Sequence, residues 1–252
     1  MNFRFFSLLA ATIVVLSPFV SGCGVHAQDD IPANSFWKLD ARYNLSVPEP
    51  SGLDFDPVRR CLWTVSDRTG KIYQLSLRGD RLDELPWVGN DPEGIAVNPY
   101  DSLFYVAEEF NGAIVTIDWQ GNEVHRFEPS NVGAGTNNGL EGLALSPDGS
   151  YLTTLQESTP SPMITLDTAG VELLRRFVDF ASDYSGICHA GNDSTYYVLS
   201  DEDKAVFLIH QNGTVIQSWS SDVVKAEGIA VENDTFYVVS DEESALYRFI
   251  RK

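Results

Sequence analysis

Five glycines at nearly equal spacing constrain the fold of this sequence more than any other feature. Consecutive glycines lie 42, 48, 44 and 42 residues apart, at Gly52, Gly94, Gly142, Gly186 and Gly228. Each lies in a similar segment: EPSGLDFDP, DPEGIAVNP, GLEGLALSP, DYSGICHAG and KAEGIAVEN. A repeat of about 40 to 45 residues is typical of a propeller blade. The sequence therefore predicts five copies of one structural unit.

Each copy carries the pattern of an antiparallel sheet. After the glycine, apolar residues alternate with small or polar ones and a turn follows, which indicates a first strand. An aromatic and β-branched run that ends on an acid comes next: CLWTVSD, LFYVAEE, YLTTLQE, TYYVLSD and TFYVVSD. Four copies continue with a hairpin around a glycine-containing turn. These patterns predict an all-β fold, a five-bladed β-propeller with four-stranded antiparallel blades.

The fifth copy lacks its last strand, because the sequence ends at ALYRFIRK after the third. A missing outer strand leaves an exposed sheet edge. The segment SFWKLDARYNL at 35–45 precedes the first glycine motif and alternates as a strand does. We expect this N-terminal strand to complete the last blade and close the ring, so that 35–252 form the propeller.

Two positions in each copy are predicted to meet at one mouth of the central channel. The first strand lines the channel and the second returns antiparallel to it, so the start of one lies beside the end of the other. The position before each glycine carries Ser51, Glu93, Glu141, Ser185 and Glu227. The position that ends each second strand carries Asp67, Glu108, Glu157, Asp201 and Asp241.

Eight of these ten residues are acidic, and all eight are predicted metal ligands. Carboxylates at close quarters raise one another's pKa, and a bound divalent cation is the simplest compensation. Oxygen ligands without His or Cys favour Ca²⁺ over Zn²⁺. The glycine is expected to let the backbone enter the channel sharply, with carbonyls as further ligands. The two serines are expected to ligate weakly or to leave room for substrate or water.

A structural role is the alternative for the acids that end the second strands. Acids at strand ends often cap turns, and here they would hydrogen-bond neighbouring blades. For Glu93, Glu141 and Glu227, which directly precede apolar strands near the axis, the sequence favours side chains that face the channel.

The segment 1–22 has the pattern of an export signal. Arg4 precedes the apolar stretch FFSLLAATIVVLSPFV, which is shorter than a membrane-spanning helix needs. The residues VSGC at 20–23 resemble the bacterial lipobox, which implies lipidation of Cys23 and membrane attachment through that anchor alone. Because Gly24 follows the cysteine where an aspartate would favour inner-membrane retention, the resemblance implies an outer-membrane or cell-surface address in a Gram-negative host.

An ordinary secretory signal, cut for instance after VHA at 25–27, is the alternative reading. If Cys23 is lipidated, 23–34 form the modified cysteine and a linker. Cys61 and Cys188 are then the two unmodified cysteines of the chain. Two cysteines can pair in an exported protein, but these fall in non-adjacent copies, so we expect two buried free thiols.

The net charge of −19 limits the partners of the protein. A nucleic-acid backbone and an anionic membrane surface would both be repelled, whereas metal ions and cationic partners would be attracted. An acidic surface of the halophilic kind would explain the same charge without a site.

The SGL, EGI and EGL strand openings, the SD strand endings, the lipobox and the size together resemble the SdiA-regulated (YjiK-like) family of bacterial exported proteins. The resemblance covers nearly all of the mature chain, and the motifs are also similar to those of NHL-repeat and esterase-like phytase propellers. It implies a five-bladed β-propeller with a calcium site and no settled activity. Family members often begin with a membrane anchor, where this chain has a lipid-anchor signal.

Catalysis at the acidic mouth has limited support from the sequence. Six-bladed gluconolactonase and paraoxonase relatives use a divalent ion there to polarise a lactone or ester carbonyl. No GxSxG or HExxH motif occurs. His189 is predicted to face the core, because it takes the position that other copies fill with Phe55, Val97, Leu145 and Val231. Cys188 takes a position that other copies fill with alanine.

Two hypotheses follow for the function. The first is a cell-envelope lipoprotein whose calcium-binding propeller binds a protein, glycan or small molecule at the acidic mouth. The second is a metal-dependent hydrolase of lactones, esters or phosphoesters. A phosphoester hydrolase needs basic residues near the metal, and only Arg68, Lys204 and Lys225 fall near the predicted mouth. The sequence therefore favours binding.

Overall fold

The computed structural model describes residues 37–133, 135, 139–157, 160–191 and 194–251. The predicted export signal, the lipobox with Cys23 and the linker lie outside these residues. In the described part of the chain no helix has the length and apolar character needed to cross a membrane.

Twenty β-strands occur within the described residues. In chain order they are β1 Trp37–Asn44, β2 Pro50–Asp56, β3 Cys61–Ser66, β4 Ile72–Leu75, β5 Arg81–Glu84, β6 Pro92–Asn98, β7 Leu103–Glu108, β8 Ala113–Asp118, β9 Glu123–Phe127, β10 Leu140–Leu145, β11 Tyr151–Gln156, β12 Ser161–Asp167, β13 Glu172–Val178, β14 Gly186–His189, β15 Thr195–Ser200, β16 Ala205–His210, β17 Val215–Ser220, β18 Ala226–Glu232, β19 Thr235–Ser240 and β20 Ala245–Arg251.

These strands form five four-stranded antiparallel sheets, which we number as blades 1 to 5. Blades 1 to 4 each consist of four consecutive strands, from β2–β5 to β14–β17, and blade 5 has the order β18-β19-β20-β1. The first strands β2, β6, β10, β14 and β18 each contact the next, and β18 contacts β2. The predicted five-bladed β-propeller is therefore confirmed.

Strand β1 closes the ring as the sequence predicts. It pairs antiparallel with β20, from Trp37 opposite Arg251 to Asn44 opposite Ala245. Its first residue is buried, and the Trp37 ring meets the Phe236 ring edge-on with 3.8 Å between centroids. The first and last strands of the propeller thus share one sheet, so blade 5 forms only when both of these strands are in place.

Replacing Trp37 by leucine is expected to lower the free energy of unfolding by about 1.5 kcal/mol, since it removes an aromatic edge contact and leaves a partial cavity. Chemical denaturation monitored by circular dichroism measures the change. Leu39→Ala in the same strand is the control, because Leu39 is 49% exposed. Equal losses in the two variants would contradict an anchoring role for the tryptophan.

The second strand of each blade forms the centre of the core. All six residues of β3 are buried, and Trp63 lies edge-on to Phe104 of the next blade with 4.6 Å between ring centroids. Cys61 and Cys188 are both buried free thiols, as expected from their positions in non-adjacent copies.

The repeated glycines have a role different from the one expected. None of the five has a positive φ, so the motif does not use the left-handed freedom of glycine. A Cβ on Gly94 would lie 2.5 Å from the carbonyl oxygen of Glu141, and a Cβ on Gly228 would lie 2.5 Å from that of Ser51. In blades 1, 2, 3 and 5 glycine is needed because the first strands of neighbouring blades approach too closely for a side chain, whereas the approach at Gly186 is less close, at 3.0 Å.

Candidate functional site

Strand pairing places the two predicted positions of each blade at the same mouth of the channel. Pro50 lies opposite Ser66 in blade 1, and Leu140 lies opposite Gln156 in blade 3. Ser51 and Asp67 flank the first pair and Glu141 and Glu157 the second, so the members of each set lie at the same mouth, and the charge of Glu157 acts on Glu141. The structure therefore brings residues that are far apart in sequence to one acidic rim.

In blade 2 the residue at this position is Glu109. Glu108 pairs with Pro92 and so corresponds to Ser66, Gln156 and Ser240 of other blades, each of which precedes the rim residue. Side chains alternate between faces along a strand, so a shift of one residue reverses the direction of the carboxylate. The repeat spacing, which predicts Glu108 at the rim, is one residue out of register in this blade.

Glu108 is a structural carboxylate. It is almost fully buried, accepts a hydrogen bond from the Asn90 backbone N–H at 2.9 Å and one from Asn111 Nδ2 at 2.6 Å, and forms an ion pair with Arg126. Its lone pairs are thus engaged by donors from three segments of the chain. This is the structural alternative considered for the strand-end acids.

Five carboxylates from blades 2 and 3 form what we call the acidic centre. They fall into two groups of three, Asp91, Glu93 and Glu109 in one and Glu109, Glu141 and Glu157 in the other. Within each group the candidate ligand oxygens lie within 4.8 Å of one another. Glu109 belongs to both groups and therefore links the two blades.

Burial makes the charges of the acidic centre costly. Glu109 and Glu141 are 8% and 7% exposed. Burial, with the nearby carboxylates of Asp91 and Glu157, raises the pKa of Glu109 to about 7. The hydrogen bond from the Gly139 N–H lowers this pKa, but by less. Burial and repulsion from Glu93, Glu109 and Glu227 hold the pKa of Glu141 well above its usual range. A cation held by these oxygens would favour their ionised forms.

Glu93 is positioned by a serine. Ser51 Oγ donates a hydrogen bond to Glu93 Oε2. Burial raises the pKa of Glu93, the hydrogen bond from Ser51 lowers it, and the charges of Glu227 and Asp67 raise it further. The net effect is a pKa well above the usual range. Ser185 Oγ instead donates to the carbonyl oxygen of Ala226 at 2.7 Å. The two serines of the motif therefore serve as hydrogen-bond donors, one of them to a candidate ligand.

The remaining predicted acids lie around the same rim with different partners. Burial raises the pKa of Asp67 to about 6 and that of Glu227 to about 7, with Lys225 Nζ 3.4 Å from Glu227 Oε1. Asp201 accepts hydrogen bonds from Lys204 Nζ at 2.6 Å and from the Ala226 N–H at 3.0 Å. Asp201 thus joins two segments, as a structural carboxylate does.

Asp241 differs from Asp201, since its Oδ1 is buried without a hydrogen-bond donor among the described residues. Burial and the charge of Glu49 raise its pKa. Asp67, Glu227 and Asp241 therefore surround the acidic centre and add to its negative potential.

Asp91 and Glu109 were missed from the sequence. The signal for Asp91 was present, because the position three residues before each glycine carries Glu49, Asp91, Gly139, Asp183 and Lys225, of which four are charged. The signal for Glu109 was the double acid that ends the second strand of blade 2. Only strand register shows which of its two acids faces the channel.

His189 lies at the far end of its strand from this rim. It was predicted to face the core, and it is partly exposed, with its ring centroid 4.4 Å from that of Tyr196. It lines a cavity at the opposite mouth of the channel. The structure thus separates this histidine from the acidic centre.

Solved structures with this fold include virginiamycin B lyase from Staphylococcus aureus, 17% identical, with a TM-score of 0.51 over 82% of this chain and 69% of that one. A catalytically inactive variant of this lyase, solved with quinupristin, is 16% identical, with a TM-score of 0.52 over 80% and 66%. Kuenenia stuttgartiensis hydrazine synthase is also 16% identical, with a TM-score of 0.52 over 77% and 56%. These likenesses show the propeller fold alone. The family described as SdiA-regulated matches residues 36–250, nearly the whole described propeller, and this chain belongs to that family.

Proposed function

We propose that this protein is a calcium-binding β-propeller of the cell envelope that binds a partner at its acidic mouth. The observation that carries the proposal is the acidic centre, in which two groups of three carboxylates share Glu109. Hard divalent cations take oxygen ligands of this kind, and Ca²⁺ accepts six to eight of them in flexible geometry. No His or Cys belongs to either group, which disfavours zinc.

The electrostatics of the rim support a resident cation. Raised pKa values at Glu93, Glu109 and Glu141 mean that burial and repulsion oppose their ionisation. A divalent ion bound to the ionised forms would offset both costs. The basic side chain of Lys225 lies beside Glu227, so it neutralises one carboxylate of the rim and leaves the acidic centre negative.

The partner at this mouth is a protein, a glycan or a small molecule that the ion helps to hold. The lipobox-like segment at 20–23 supports attachment to the outer membrane or the cell surface through a lipid on Cys23. Display at the envelope suits a binding module, because calcium reaches millimolar concentrations outside cells and extracellular calcium modules bind it at about 10⁻⁴ to 10⁻³ M.

Calorimetric titration with Ca²⁺ tests the metal site. The wild-type protein is expected to bind calcium, and Glu109→Gln is expected to weaken binding at least about tenfold, because it removes one charge from both groups of ligands. Glu108→Gln is the matched control, since it changes the same residue type one position away on the opposite face. Equal calcium affinities in the two variants, or no heat of calcium binding in the wild type, would refute the proposal that the acidic centre binds calcium.

A metal-dependent hydrolase of lactones, esters or phosphoesters is the alternative for the same mouth. One observation favours it: the pKa of Glu227 is raised to about 7, which suits a general base. A panel of lactones and aryl esters, assayed with calcium, separates the two functions. Hydrolysis that Glu227→Gln abolishes while calcium affinity persists would establish the enzyme, and the absence of turnover supports the binding module.

A further inference from the structure

The opposite mouth of the channel opens into a cavity of about 530 Å³. It lies at the far ends of the first strands, and residues from blades 1, 3, 4 and 5 line it. Ligand pockets commonly occupy about 300 to 1,000 Å³, so the cavity has the size of a small-molecule site. The acidic centre lies at the other end of the same strands, so the two sites are distinct.

Asp54 of β2 is a partly buried carboxylate that lines this cavity. The corresponding positions of the other first strands carry small residues: Ala96, Ala144, Cys188 and Ala230. The carboxylate therefore extends into space that the other blades leave free. It is held in place by two backbone donors, with Val97 N–H bonded to Oδ2 and Phe55 N–H to Oδ1, each at 2.8 Å.

Asp54 has no cationic partner among the described residues. Among the residues that line the cavity, Arg60 is the one lysine or arginine, and its guanidinium pairs with Glu232 Oε1 at 2.6 Å. Burial raises the pKa of Asp54 to about 7, outweighing the two backbone hydrogen bonds. Asp54 is partly buried, and a carboxylate in such a place without a counter-charge destabilises a fold, a cost that a cation entering the cavity would offset.

Much of the wall is apolar. Leu143 and Leu145 of blade 3, Val231 of blade 5 and the aromatic ring of Tyr197 line the cavity, together with the polar side chains of His189 and Asn233. Such a wall gives the apolar part of a ligand a surface to bury, while one polar group fixes its orientation. The second carboxylate on the cavity wall, that of Glu232, is already paired with Arg60, which leaves Asp54 as the unpaired acid for a ligand.

We propose that this cavity binds a small organic ammonium ion, with its nitrogen held by Asp54 and its apolar portion against the leucine and valine side chains. The negative charge of Asp54 favours a cation over a neutral ligand. The leucine and valine side chains favour a ligand with an apolar portion over a sugar. Binding here is independent of calcium at the other mouth.

Benzylammonium chloride and its neutral counterpart benzyl alcohol are the probes, measured by calorimetry on the whole protein in millimolar calcium. Benzylammonium is expected to bind at least about tenfold more tightly than the alcohol, a difference of about 1.4 kcal/mol. Asp54→Asn is expected to remove this preference by weakening ammonium binding, with the affinity for the alcohol unchanged. Removal of calcium should leave both affinities unchanged.

Ala190→Leu provides a second test that leaves the carboxylate intact. Ala190 lines the cavity, and a leucine there would fill part of it, so both probes should bind more weakly. The proposal is overturned if neither probe binds, if the alcohol binds as tightly as the cation, if Asp54→Asn retains wild-type affinity for benzylammonium, or if Ala190→Leu retains wild-type affinity for both probes. Competition between calcium and benzylammonium would place the cation at the acidic mouth and also overturn it.

Discussion

In the presence of a chelator, the protein is expected to unfold at a lower temperature at about pH 8 than at about pH 5. At the rim, Glu93, Glu109, Glu141 and Glu227 produce this effect, because burial raises the pKa of each, and Asp54 at the opposite mouth adds to it. A carboxyl with a raised pKa binds more protons in the folded state than in the unfolded state at intermediate pH. The free energy of unfolding therefore falls as the pH rises through that window.

The size of the effect follows from Glu227, whose pKa rises from 4.5 to about 7. Such a shift corresponds to roughly 3 kcal/mol of stability, lost between about pH 4 and pH 8. For a domain of this length the melting temperature should fall by roughly 6 to 12 °C. Differential scanning calorimetry across a pH series measures it.

Calcium is expected to reverse this loss at high pH and to have little effect at about pH 5, because protons compete with the ion for the same oxygens. Glu141→Gln should flatten the pH dependence without calcium, since it removes one of the charges that repel the others. A melting temperature that rises with pH in chelator, or a calcium effect of equal size at both pH values, would contradict this account of the rim.

Gly94→Ala is expected to damage the propeller severely, as the same change at Gly142 or Gly228 would. Its new Cβ would lie 2.5 Å from the Glu141 carbonyl oxygen and 2.9 Å from the Leu143 nitrogen, both of them backbone atoms that side-chain motion cannot move away. The ring must therefore open, at a cost of about 4 kcal/mol or more. Urea denaturation monitored by fluorescence measures the loss.

Gly186→Ala is the matched control for this prediction. It makes the same change at the same position of blade 4, where the nearest atom is the Glu227 carbonyl oxygen at 3.0 Å and the next lie at 3.5 Å. A shift of a few tenths of an ångström accommodates the methyl group there. We expect a loss of about 1 kcal/mol. Similar losses in both variants would mean that strand proximity is not why the motif uses glycine.

Most of the acidic rim was predictable from the repeat. Glu93, Glu141 and Glu157 were chosen from their positions in the motif, and the structure places all three in the acidic centre. The repeat spacing predicts Glu108 rather than Glu109 because two acids adjoin at the end of that strand. Spacing alone does not show which of the two side chains points towards the channel. Asp91 lies in the turn before β6. The direction of its side chain therefore depends on the conformation of that turn and does not follow from the alternation of side chains along the strand.

The sequence by itself determined the number of blades, the four-stranded pattern of each and the strand that closes the ring. These follow from spacing and from side-chain alternation, which are local properties of the chain. Only the tertiary structure decided why the motif contains glycine, which carboxylates meet, and where Asp54 lies. Each of these depends on distances between neighbouring blades, and those distances arise only when the ring is closed.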